Sequence, residues 1–174
     1  MKIGQAAADQ YEEVRSFYHS LIDEMEERYV AWEKDVYPSP ELLKGAIGKG
    51  ELYIGTVDDE IAAAMVFNSE CDENYSKVHW QTEAEPSEVM VIHALGVHPR
   101  FMKRGYGCEM VEKAIETAKE KGAAAIRLDV LEGNIPAEKL YVSMGFRFIE
   151  EISMYYEDTG LARFRLFEYV LKNR

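Results

Sequence analysis

The stretch LGVHPRFMKRGYGC, residues 95–108, joins two different patterns. Before it, Glu88–His98 is a largely apolar run of strand character. After it, Met110, Val111, Ile115 and Ala118 recur at helical spacing through Lys121, and Gly122 supplies the stop. Between them lies a short connector carrying Arg100, Lys103 and Arg104, with Gly105-Tyr106-Gly107 at the helix start. Free N–H groups and the positive end of the dipole at such a start bind phosphate oxygens, and glycine lets the backbone approach closely. Two familiar phosphate loops do not fit. A dinucleotide fingerprint needs a third glycine where Met110 stands, and its turn follows the strand directly, whereas His98–Arg104 intervene here. Asp129, near the end of the next strand, is the one residue that favours a nicotinamide nucleotide. A Walker loop fails because Gly50 follows Lys49 and Leu43 replaces the first glycine.

Downstream, Ala124–Leu131 reads as an apolar strand, Ile135–Met144 as a short helix closing at Gly145, and Phe146–Met154 with Arg163–Leu171 as a hairpin across Asp158-Thr159-Gly160. Upstream, Asp9 is placed to cap a helix, with Glu12 at its third position. Val14, Phe17, Tyr18, Leu21, Ile22 and Met25 form its apolar stripe, and Glu12, Glu13, Asp23, Glu24, Glu26 and Glu27 its solvated side. Ser39-Pro40 opens a second helix ending near Gly48 or Gly50. Strands Glu51–Val57 and Ile61–Asn68 follow, and Tyr75–Gln81 reads as a further strand segment. This order predicts an α/β (α+β) architecture in one domain spanning 1–174, with no repeat or linker.

The central stretch resembles the acetyl-CoA motif of the GNAT family of N-acetyltransferases. That motif is an apolar-Val-x-Pro strand end followed by Gln/Arg-x-x-Gly-x-Gly/Ala opening a helix. Here it is Val97-His98-Pro99 and then Met102-Lys103-Arg104-Gly105-Tyr106-Gly107, with Met102 in place of Gln or Arg. A second segment, Asn134-Ile135-Pro136-Ala137-Glu138-Lys139-Leu140-Tyr141 followed by Gly145-Phe146, is similar to the family's Asn-x-x-Ala-x-x-Leu-Tyr-x-x-x-Gly-Phe signature. Two signatures in the right order are more specific than either alone. The resemblance covers roughly residues 89–150 and implies a mixed, mostly antiparallel central sheet of about six to seven strands flanked by helices.

It also implies a chemistry, with acetyl-CoA as co-substrate and no metal. Leu95, Gly96 and Val97 would pair with the pantetheine arm as an added strand. Met102 through Cys108, including Lys103, Arg104, Gly105, Tyr106 and Gly107, would hold the pyrophosphate, and Asn134 and Ala137 would contact the arm. Tyr141 occupies the family's proton-donor position, suited to a leaving thiolate because a phenol keeps its proton at neutral pH. If no bulge intervenes, Val91, His93, Leu95 and Val97 share one face, and His93 is the candidate base. Val91–His98 also resembles the two-histidine strand of arylalkylamine N-acetyltransferases, with Val91 at the first histidine position. Tyr37 and Trp80, in segments that face the acceptor in this family, lead the candidates for the acceptor pocket; Trp32, Tyr155 and Tyr156 follow.

Composition narrows the partners. The chain has 174 residues and a net charge of −12, which disfavours nucleic acid. No apolar run approaches the ~18 residues that span a bilayer, and the opening residues carry no apolar signal core, so a cytoplasmic protein is expected. Two cysteines make no disulfide framework, and no Cys/His cluster suits zinc. Residues 1–90 hold 20 acids against 7 bases, and 91–174 hold 12 against 13. An anionic ligand on the second half and a cationic acceptor, a small amine or polyamine, match that asymmetry. A protein or peptide amine, or a non-catalytic acyl-CoA sensor, are the alternatives. An exposed sheet edge in this type of fold supports a homodimer by analogy.

Overall fold

The computed structural model describes residues 1–25 and 31–171 and arranges them around one seven-stranded sheet. The strands are β1 (Lys2–Gln5), β2 (Leu52–Val57), β3 (Glu60–Asn68), β4 (Val89–Val97), β5 (Ala125–Leu131), β6 (Arg147–Tyr156) and β7 (Gly160–Val170). They stand in the order β1-β2-β3-β4-β5-β7-β6, and only β4 and β5 run parallel. Four α-helices cover the sheet among the described residues: α1 (Tyr11–Glu24), α2 (Pro40–Lys49), α3 (Tyr106–Glu120) and α4 (Ile135–Ser143).

The helices divide between the faces as their apolar stripes require. On one face, Val14, Phe17, Tyr18 and Leu21 of α1 and Leu43 and Ala46 of α2 pack on Leu52, Ile54, Ala64 and Val66. On the other, Met110, Val111, Ala114 and Ile115 of α3 pack on Met65, Phe67, Met90 and Ile92. Each fully buried large apolar side chain contributes about 1.5–3 kcal/mol, so the two clusters fix the helices to the sheet. Caps set the ends of α2. Ser39 Oγ accepts the Leu42 N–H at 3.1 Å, Pro40 takes the first turn, and Gly50 closes the helix in the left-handed region.

Three local expectations change. Strand β1 was not anticipated; its four residues are mostly exposed and carry no alternating pattern. Asp9 does not cap α1, because Ala8–Gln10 forms a 3₁₀ turn and Gln10 Oε1 accepts the Ala7 N–H at 2.9 Å. Residues 75–81 form no strand. Glu73–Lys77 is a 3₁₀ turn, and β3 pairs directly with β4, so this segment does not enter the sheet between them. Tyr75 and Val78 pack instead with Val89, Val91, Phe164 and Leu166 in a third cluster. Glu26 and Glu27, expected on the solvated side of the first helix, lie outside the described residues.

One irregularity shapes everything near the site. On β3 the step from Ala64 to Val66 spans two residues, but their β4 partners Gly96 and His93 are three apart. The extra residue is a β-bulge at Ala94, whose φ is +49°. The Tyr18 hydroxyl, buried under α1, donates to the Ala94 carbonyl at 2.8 Å and occupies a group the ladder has released. Tyr18→Phe leaves that carbonyl buried and unpaired. The expected loss is about 1–3 kcal/mol, read as a lower urea midpoint at unchanged slope.

Candidate active site

Beyond the bulge, β4 and β5 part company. They pair only at Val89–Val91 with Ala125–Arg127, so the β4 edge from Ile92 onward has no ladder partner on the β5 side. The gap opens into a cavity of about 940 Å³. Its β4 wall is Ile92–Val97, its β5 wall Asp129–Leu131, and its α4 wall Asn134, Pro136, Ala137, Leu140 and Tyr141. Met102, Lys103, Gly105, Tyr106 and Gly107 line it at the start of α3. Trp32, Tyr37, Tyr75 and Tyr156, with the acids Glu24, Glu70, Asp72 and Asp158, line the remainder.

The α3 start has the chemistry of an anion site. The Glu109 N–H makes a helical bond to the Gly105 carbonyl, so the N–H groups of Tyr106, Gly107 and Cys108 stand ahead of the helical ladder. Gly105 caps the helix at φ +83°, with open space where a Cβ would stand, a conformation that glycine adopts without strain. Gly107 is small for a different reason: a Cβ there would lie 3.1 Å from Leu140 Cδ2, so the bare backbone lets α3 close on α4. An unpaired strand edge, three free amides, Lys103 and a cavity of ligand size suit a ligand with an amide-bearing arm and phosphates.

The acetyltransferase (GNAT) family model matches residues 9–146. The chain belongs to the GNAT family. An N-acetyltransferase of Bacillus subtilis, YvbK, is 27% identical over 110 residues, covering 63% of this chain and 61% of its own. One from Methanocaldococcus jannaschii is 38% identical over 68 residues, covering 39% and 30%. The chain thus spans 61% and 30% of the length of these curated relatives. Among solved structures, a GNAT acetyltransferase of Streptococcus agalactiae superposes with TM-score 0.80 at 15% identity, covering 99% of this chain and 96% of its own. YncA of Salmonella typhimurium, solved with its cofactor acetyl-CoA, gives 0.75 at 12% identity over 100% and 95%. Both show the same fold.

Within this GNAT fold, most of the residues expected at the site meet in the cavity: His93, Leu95–Val97, Met102, Lys103, Gly105–Gly107, Asn134, Ala137, Tyr141 and Tyr37. Asn134 also caps α4, its Oδ1 accepting the Ala137 N–H at 3.2 Å. Three others are elsewhere. Arg104 is exposed and lies over the Phe101 ring, 5.8 Å from its centroid, and Cys108, in the first turn of α3, does not line the cavity. Trp80 is an anchor of the loop before β4. Its Nε1–H donates to the Tyr75 carbonyl at 2.8 Å, and the Arg127 guanidinium stacks on its ring. Arg100, a further candidate for the phosphates, is paired with Glu60. Tyr155 is exposed near the β6–β7 turn. Among the described residues there is no group of three or more His, Cys, Asp or Glu placed to hold a metal ion.

The bulge also corrects the face assignment. His93 does not share a face with Leu95 and Val97, which pack toward α3. Its Nε2 pairs with Asn68 Oδ1 at 3.0 Å, and Asn68 Nδ2 is tied in turn to Glu51. Burial pushes the His93 pKa below its ordinary value, the Glu70 backbone and carboxylate pulling against it.

Asp129 is the residue that sequence reasoning left out of this chemistry, having weighed it only as a nucleotide marker. A lone carboxylate in the apolar run AIRLDVL was the available signal. It is half-buried, and its oxygens accept from Tyr75 Oη at 3.1 Å and Tyr156 Oη at 3.3 Å. Burial, with help from Asp72, pushes its pKa up to about 6, and the two hydroxyls hold it from rising further. Tyr141, 7% exposed, packs edge-on against Phe146; burial and then Asp129 raise its pKa, so its proton stays on at neutral pH.

Because Asp129 binds a proton more tightly folded than unfolded, its contribution is favourable below about pH 4 and is lost as pH rises through about 6. Asp129→Asn removes that loss. Relative to the wild type, the variant should gain on the order of 2–3 kcal/mol between pH 4 and pH 7.5, measured by urea unfolding at both.

Proposed function

We propose that this chain is an N-acetyltransferase that moves the acetyl group of acetyl-CoA directly to a primary amine, a small amine or polyamine. The observation that carries the reading is that one cavity unites the α3 start, the unpaired β4 edge, Tyr141 and an aromatic, acidic end. The Tyr106, Gly107 and Cys108 amides and Lys103 would hold the phosphates. The β4 edge at Leu95, Gly96 and Val97 would pair with the pantetheine arm, and Asn134 and Ala137 would flank it. An edge N–H aimed at the thioester carbonyl stabilises the oxyanion that develops on attack.

Tyr141 then acts as general acid, protonating the sulfur as the carbon–sulfur bond breaks. The raised pKa that keeps its proton in place supports that role. Tyr37 and the other ring walls of the cavity suit the methylene or aryl body of an amine, and the acids beside them suit its charge. His93 stands in the same cavity as a second acid–base candidate.

Thermal unfolding tests the ligand first. At ~100 times its dissociation constant acetyl-CoA should add about 2.7 kcal/mol, a midpoint rise of roughly 5–10 °C, while NAD adds none. Turnover tests the chemistry. Tyr141→Phe should lower kcat by roughly 10²–10⁴ while the thermal rise with acetyl-CoA persists. An unchanged kcat removes Tyr141 from the role, and a rise with no turnover of any amine leaves an acyl-CoA sensor.

A further inference from the structure

We propose that Asp129 takes the ammonium proton of the acceptor, with Tyr75 and Tyr156 holding its carboxylate in the cavity wall; this rests on reading the cavity as an amine-acetylation site. Asp129 is the first residue of β5 to line the cavity, two positions past Arg127, where the β4–β5 ladder ends. It therefore stands where the two strands have parted, in the same cavity as the unpaired β4 edge. Each carboxylate oxygen accepts one hydroxyl, from Tyr75 or from Tyr156, which leaves lone pairs on both for a further donor.

No ion pair among the described residues satisfies this half-buried carboxylate. Arg127, the nearest cation along the strand, is committed to Glu168 at 3.0 Å, to the Thr82 carbonyl at 2.8 Å and to the Trp80 ring. The other groups that interact electrostatically around Asp129 are Asp72, Tyr37 and Tyr141, none of them basic. An arriving ammonium would supply the missing positive partner. The same desolvation that favours a neutral carboxyl also favours a neutral amine, so the cavity draws the two proton affinities together.

The step balances. One N–H proton passes from the ammonium to Asp129, giving an amine and a carboxylic acid. The amine nitrogen bonds to the thioester carbon, the carbon–sulfur bond breaks, and Tyr141 gives its proton to sulfur. The second proton shed by the new amide nitrogen restores Tyr141, and Asp129 releases its own to water. His93 is less suited to receive the first proton, because its Nε2 is engaged by Asn68 and that amide is itself fixed by Glu51.

The test follows thiol release with acetyl-CoA and spermidine, phenethylamine or lysine from pH 5 to 9. In the wild type kcat/KM should rise with a midpoint near 6. Asp129→Asn should lose that limb and at least 10²-fold in kcat. Tyr156→Phe, which removes a donor to the carboxylate, should move the midpoint up by several tenths of a pH unit, and His93→Gln should leave it in place. The thermal rise with acetyl-CoA reports that each variant is folded. A limb that survives in Asp129→Asn overturns the proposal alone. Should that variant not fold, an unmoved midpoint in Tyr156→Phe overturns it, and a raised one supports it. A wild type that gains stability with acetyl-CoA but turns over no amine overturns the acetyl-transfer reading, and this proposal with it.

Discussion

The hydrogen bond from the Tyr18 hydroxyl to the Ala94 carbonyl stands at the point where the sheet stops being regular. A bulge reverses the side-chain alternation of its strand, so β4 presents Met90 and Ile92 toward α3 before it and Leu95 and Val97 toward α3 after it. Gly96 is then turned toward α1, where a Cβ would lie 2.6 Å from Leu21 Cδ1, so a side chain there would force Leu21 to shift. The same kink carries β4 away from β5 and leaves its far edge unpaired. Holding a non-glycine residue at φ +49° costs on the order of 1–2 kcal/mol, and the buried tyrosine offsets part of that. An opened sheet with a free edge inside the protein is thus the result of one local strain and one hydrogen bond.

The segment between β3 and β4 solves a second problem. It has little regular structure, yet it delivers Tyr75 to the cavity wall. Arg127 and Glu168, both buried, provide the fixed point. Glu168 accepts the Thr82 N–H at 3.1 Å while Arg127 donates to the Thr82 carbonyl, so one loop residue is gripped through both its backbone groups. Trp80 stacks on the same guanidinium and reaches back to the Tyr75 carbonyl. A buried ion pair contributes little net stability, but a bidentate grip on one backbone residue fixes the register of a loop.

Helix α3, its glycine-rich start and the signature through Tyr141 were legible because periodicity and spacing are local properties. The β2–β3 and β6–β7 hairpins were legible because turn residues separate strand-like runs. What remained hidden depended on contacts distant in sequence. The face of His93 turns on a bulge that Tyr18, 76 residues away, stabilises. Trp80 is an anchor because Arg127 and Glu168 meet on neighbouring strands. Asp129 matters because two hydroxyls from separate segments converge on it. No window of sequence contains such pairs.

Charge shows the same division. The excess of acid in the first half does reach the cavity, through Glu24, Glu70 and Asp72. Yet Asp129, the acid that the two hydroxyls hold in the cavity wall, belongs to the nearly neutral second half, and its effect comes from desolvation rather than from number. On the anion side the three cations of the connector contribute less than their proximity suggests, since Arg100 is spent on Glu60 and Arg104 turns to Phe101. Lys103 alone of the three lines the cavity. On the proposed reading, backbone amides at the α3 start would carry most of the anion recognition. They are fixed in place by the helix itself, so they lose no side-chain entropy on binding and cannot be lost by substituting a single basic residue.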